Sequence, residues 1–122
     1  MTKLASAFLC ICIGLLVPTS GALAKDTAGI FVVLGVGTKA CSTVLDDNYQ
    51  DINYRYIHSG WVAGYLTFFN HFSLVGAQDI TQGIGPNETV AWITDYCTAN
   101  PQRTLEDATE ALRMALVNRL PK

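Results

Sequence analysis

Tyr96-Cys97-Thr98-Ala99-Asn100-Pro101-Gln102-Arg103-Thr104-Leu105 reads as the end of one helix, a turn and the start of another. Pro101 pushes Asn100 out of the α region, so the helix carrying Cys97 stops there. Thr104 is an N-cap residue type, and Glu106 and Asp107 follow where carboxylates suit the positive end of a helix. Upstream, Val90, Ile93 and Cys97 make one stripe, flanked by Trp92 and Tyr96, on a helix that begins at Pro86 or Asn87. Cys97 thus points inward near the end of that helix. Downstream, Leu105, Ala108, Leu112, Ala115, Leu116 and Leu120 continue an apolar face, with Arg113 and Arg119 in the later turns and Pro121 ending it.

Further from the turn, residues 54–72 predict the longest helix. Ile57, Trp61, Tyr65, Phe68 and Phe72 recur at spacings of three and four, which stacks them on one face. Gly60 and Gly64 lie inside it, and each costs ~1 kcal/mol relative to alanine in a helix interior. A neighbouring element in close approach over a flattened strip would account for them. Residues 76–86 read as a loop broken by Gly76, Gly83, Gly85 and Pro86, with Asp79-Ile80 able to dip one apolar side chain into the core. Residues 38–45 form a short helical segment carrying Cys41, ended by the turn residues Asp46-Asp47-Asn48. Ile30-Phe31-Val32-Val33-Leu34 is β-branched and aromatic, and reads as one short strand or an extended arm. The fold class is therefore mostly α: a small single-domain helical bundle with one disulfide and a short N-terminal extended arm or strand.

The compartment follows from the start of the chain. Lys3 precedes an apolar run over residues 4–17, Pro18, Ser20 and Gly21 break it, and Ala22-Leu23-Ala24 fits a signal-peptidase site. The expectation is a signal peptide over residues 1–24, removed on export, and one helical domain over 25–122, periplasmic or secreted. Cys10 and Cys12 leave with the signal, and Cys41 and Cys97 remain to form a disulfide. A zinc or redox site is poorly served by two cysteines without a Cys-x-x-Cys motif or a nearby histidine. Without Lys3 the chain holds 7 basic and 10 acidic residues, a formal charge of −3. No basic cluster exists to grip nucleic acid or an anionic membrane.

An enzyme needs a nucleophile or base, a group that orients it, and charge stabilisation. His58 and His71 stand thirteen apart, roughly 220° around one helix, so they face opposite sides and share neither metal nor substrate. Each reads as a half-exposed helix residue. Asp46-Asp47 and Glu106-Asp107 have ordinary turn and capping explanations, and Gly35-Val36-Gly37 lacks the rest of a phosphate-binding loop. No catalytic residue, metal site or cofactor is expected. The aromatic set says more. Phe68 and Phe69 are neighbours, as are Tyr65 and Leu66, so one helix buries only part of the set on a single side. Trp61, Tyr65, Phe68, Phe69 and Trp92 are the candidate apolar binding surface, for a protein partner, an unfolded client or a second copy of the chain.

The Tyr96–Leu105 decapeptide also resembles the second-cysteine segment of the HdeA/HdeB superfamily, small exported helical proteins that include periplasmic acid-stress chaperones. Cys41 matches that family's first cysteine in order, and Trp61 falls on its aromatic middle helix. Ser42-Thr43-Val44 stands where those proteins usually carry an acidic residue. The residues 30–37 arm and the glycine-rich 76–86 loop also depart from them. Gly37 to Cys41, Trp61 to Tyr65, and Asp95 to Pro101 are similar to motifs in a loose group of uncharacterised proteobacterial exported proteins. The Gly-Tyr middle helix and Asn-Pro turn look like those of periplasmic toxin-immunity proteins. The resemblance implies a non-enzymatic protein that binds unfolded clients in acid, or one dedicated partner.

Overall fold

A computed structural model of the chain describes residues 32–72 and 78–121. The expected signal peptide, and the Ile30-Phe31 part of the arm, lie outside the described residues. Val32 to Leu34 belong to no regular element and lead into a 3-10 turn, Gly35–Thr38. Four helices follow: α1 Cys41–Gln50, α2 Ile52–Phe72, α3 Pro86–Ala99 and α4 Leu105–Asn118. Among the described residues there is no strand, only one isolated bridge between Ala40 and Thr104. The mostly α bundle is as expected.

The 101–105 turn organises the start of α1 as well as that of α4. α1 has no side-chain cap, because Ala40 precedes it. Its first amides donate instead to the turn: Cys41 N to Arg103 O at 2.7 Å and Ser42 N to Pro101 O at 3.0 Å. In return Leu105 N donates to Lys39 O at 2.9 Å. Helix starts leave orphan N–H groups, and here two starts satisfy each other across the short strap Lys39-Ala40. Thr104 caps α4 as expected: its Oγ1 accepts the Asp107 amide, while the Asp107 carboxylate accepts the Thr104 amide. Cys41 and Cys97 are bonded beside this junction, with an S–S distance of 2.08 Å.

α1 corrects one expectation. It runs through Asp46-Asp47-Asn48 and ends at Asp51. Such residues end helices when their side chains compete for local backbone groups. Here Asp47 and Asn48 are engaged elsewhere, by Lys39 at 2.5 Å and by His58 at 2.8 Å. Asp51 does the turning, and its Oδ1 accepts the Asn53 amide at the start of α2.

α1 packs on α2 and α3, and α4 packs on α3 and α2. Their shared core holds Cys41, Val44, Val62, Leu66, Ile93, Cys97, Leu105, Ala108, Leu112 and Leu116. The loop before α3 adds Ile80, which is fully buried as its sequence predicted. Asn70 at the end of α2 pins this loop, accepting the Ile80 amide and donating to Asp79. From the other side Arg119 donates to Gln82 O. Ala115, expected on the apolar face of α4, is exposed.

Candidate functional site

The faces of α2 carry the main departure from expectation. Its buried residues are His58, Val62 and Leu66. The centre of the aromatic stripe expected to face the core lies about 100° away around the helix. Trp61 and Tyr65 are half-buried, while Ile57, Phe68 and Phe72 are 51%, 63% and 65% exposed. The reason is volume. Three helices press on the inner side of α2, and Val62 and Leu66 fill that space without large rings. The aromatic side meets the 3-10 turn, where Trp61 donates to Leu34 O at 3.0 Å, and touches α4 at its Tyr65 edge. Gly37 lies against the indole so closely that a Cβ there would fall among its ring atoms.

The close neighbour expected over Gly60 and Gly64 is therefore wrong. Among the described residues nothing lies within 4 Å of where their Cβ atoms would stand. The glycine that admits an aromatic ring is Gly37, in the 3-10 turn, seventeen residues before the 54–72 helix pattern that sequence reading searched.

The five candidate surface residues are not brought together as one surface. Trp61 and Tyr65 pack against each other, with ring centroids 5.8 Å apart. Phe69 is half-buried, with the Arg113 guanidinium 4.6 Å above its ring. Trp92 is half-buried on α3 and stacks on Tyr96 at 5.6 Å. Of the five, only Phe68 is freely exposed, and its ring partner is Phe72, 4.6 Å away. Ile57 and Phe72 complete the open apolar side of α2, with the bare backbone of Gly60 and Gly64 beside them. Both residues stood in the periodic stripe; the sequence showed an apolar face without showing that it would stay open.

A polar chain locks α2 to α4 behind this face. The Tyr65 hydroxyl donates to Glu110 Oε2 at 2.6 Å, and Glu110 pairs with Arg113. Burial, then the hydrogen bond to Glu110, pushes the Tyr65 phenol up to about 12. The hydrogen bond from Arg113 holds the Glu110 carboxyl below the ordinary range.

His58 is the second correction. Expected half-exposed, it is 3% exposed. Its Nδ1 lies 2.8 Å from Asn48 Oδ1. Its Nε2 is buried without a hydrogen-bond partner, 3.6 Å from Asp47 Oδ2. Burial, then the nearby Lys39 charge, lowers its affinity for a proton, and Asp47 opposes them. A cavity of about 20 Å³, room for one water molecule, adjoins the ring and is lined by Asn48, Arg55, Ser59 and Thr89. His71 is exposed at the far end of α2, so the two histidines are apart as predicted.

Among the described residues no group of three or more His, Cys, Asp or Glu side chains converges to hold a metal. No helix among them is long and apolar enough to cross a membrane. Comparison with family models, curated proteins and solved structures finds no match to this chain.

Proposed function

We propose that this chain is an exported, non-enzymatic protein-binding module that holds apolar segments of unfolded clients in the manner of an acid-stress chaperone. The observation that carries the reading is the outer side of α2, where Ile57, Phe68 and Phe72 stand exposed along one helix beside two glycines with open space above them. Large apolar side chains grouped on a surface, rather than scattered, mark places that bind protein. Bare glycine backbone beside them lets an extended segment approach closely. The resemblance of the Cys97 segment and the acidic charge balance support export and a response to acid. The Cys41–Cys97 bond keeps the loosened chain from opening fully.

The test is light scattering of an acid-sensitive protein at pH 7 and at about pH 3–4, where carboxylates titrate. The chain at equimolar ratio or above is expected to suppress aggregation in acid. A Phe68→Ser, Phe72→Ser double variant is expected to lose that suppression while melting like the wild type, since both side chains are exposed. No suppression by the wild type rejects the chaperone reading.

A second reading is favoured by one observation: the apolar side of α2 is open in the folded domain. A dedicated partner, such as a toxin held by an immunity protein, would bind it without any loosening. A stoichiometric complex at pH 7, abolished by the same double variant, would select that reading.

A further inference from the structure

The junction of α1, α2 and the Lys39-Ala40 strap holds two basic groups that share one carboxylate oxygen. Asp47 Oδ2 lies 2.5 Å from Lys39 Nζ and 3.6 Å from His58 Nε2. The Nδ1 edge of the ring is already engaged by Asn48. With Nδ1 donating to Asn48 Oδ1, a neutral ring presents a lone pair to the carboxylate and leaves it to Lys39. A protonated ring presents an N–H instead, and both its donors then have acceptors in place. We propose that His58, Asp47 and Lys39 form a proton-operated latch: with His58 neutral, Asp47 holds Lys39 and the strap; a proton taken from solvent onto Nε2 transfers that carboxylate to the imidazolium and releases Lys39.

Release matters because of what Lys39 does with its backbone. Its carbonyl accepts the first amide of α4, Leu105 N, and the next strap residue, Ala40, bridges Thr104. The latch therefore connects a buried side chain of α2 to the paired starts of α1 and α4. Every charged group facing the ring sets its operating point. The strap contributes Lys39, which also lies 5.2 Å from the Tyr54 ring, and α1 contributes Asp47. α2 itself contributes Arg55 on the adjoining cavity and the Tyr54 ring, stacked at 6.3 Å. α3 presents Thr89, Val90 and Ile93 and α4 presents Leu105, none of them charged. Burial, then the Lys39 charge, outweigh Asp47 and delay protonation, so the latch opens below the ordinary imidazole range near ~6.5. The sign follows. A histidine that binds its proton less readily when folded leaves stability complete above the unfolded value and lost as pH falls through the folded one. This step is separate from carboxylate titration and does not rest on the chaperone reading.

NMR of the wild-type chain tests it. On lowering the pH from 7.5 to 4.5, the His58 ring nitrogens should report proton uptake below that of free imidazole. The protection of the Leu105 amide, corrected for intrinsic exchange, should fall on the order of tenfold with the same midpoint. Lys39→Met removes an opposing cation and the group to be released. Its His58 should titrate at higher pH than in the wild type, with Leu105 protection no longer following the ring. His58→Gln should remove the protection change altogether. Leu105 protection that stays constant across the wild-type His58 titration overturns the latch. So does an unchanged or lowered His58 midpoint in Lys39→Met. Both decisive readouts remain if the His58 variant fails to fold.

Discussion

At the scale of single residues, three glycines that look alike in sequence have different worth. Gly60 and Gly64 sit in an exposed stretch of α2 with open space where a Cβ would go. Gly64→Ala is therefore expected to stabilise the domain by about 0.5–1 kcal/mol, through helix propensity and a less mobile unfolded chain. Gly37→Ala is expected to cost about 1–3 kcal/mol, because its methyl would enter the Trp61 ring. Urea denaturation of the two variants checks both signs. Tyr65 gives a test by pH. Its phenol is pushed up to about 12 while the unfolded chain ionises near ~10. Between those values the folded state binds more protons, so stability is complete below the lower value and is lost as pH rises toward the upper one. Tyr65→Phe should be less stable at pH 8 yet show a flatter decline from pH 9.5 to 11.5, read by circular dichroism against urea.

At the scale of elements, the paired starts of α1 and α4 depend on the disulfide beside them. Cys41 and Cys97 close a loop of 57 residues, counted inclusively from a separation of 56. Chain-entropy reasoning assigns such a loop about 4 kcal/mol. Cys97→Ser is expected to lower the thermal midpoint by ten degrees or more, at roughly 4–8 °C per kcal/mol for a domain of this size. Calorimetry of the variant, with the reduced wild type beside it, checks this. Both should melt alike if the bond is what matters. The helix boundaries show how far local signals reach. Thr104 is the N-cap that its sequence predicted, and Asp107, expected only to suit the helix dipole, completes the cap. Asp46-Asp47-Asn48 failed as a stop because two of the three side chains were drawn to Lys39 and His58, partners eight and ten residues away.

At the scale of the whole molecule, acid acts through two kinds of group. Glu110 and Asp79 have carboxyls held below the ordinary range, by Arg113 and by Thr81 respectively. A carboxyl lowered in the folded state contributes stability that is present above its unfolded value and lost as pH falls through the folded one. Glu106, raised by burial, acts in the opposite direction. His58 adds its own loss at higher pH. Over residues 25–122, protonating 10 carboxylates and 2 histidines moves the formal charge from −3 to +9, and self-repulsion then opposes compactness. The urea midpoint is expected to fall in two stages on acidification, one below about pH 6.5 and one in the carboxylate range. Glu110→Gln should reduce only the second stage, which measurement at half-unit pH intervals would resolve.

What the sequence alone determined were features set by near neighbours or by elimination: the Asn100-Pro101 stop, the Thr104 cap, the Cys41–Cys97 pairing and the burial of Ile80 within a polar loop. Each follows from backbone chemistry within a few residues or from the only two cysteines outside the expected signal peptide. What only the tertiary structure decided was which side of α2 faces inward. Its sequence carries two apolar stripes, one of Val62 and Leu66 with His58, the other of Ile57, Trp61, Phe68 and Phe72. Periodicity marks both and ranks the aromatic one first by size. Burial goes to the stripe whose volume fits the space left by α1, α3 and α4, and that space is made by residues distant in the chain. The same decision buried His58 next to Asp47 and left Phe68 and Phe72 in the open, so both candidate functional features are products of packing.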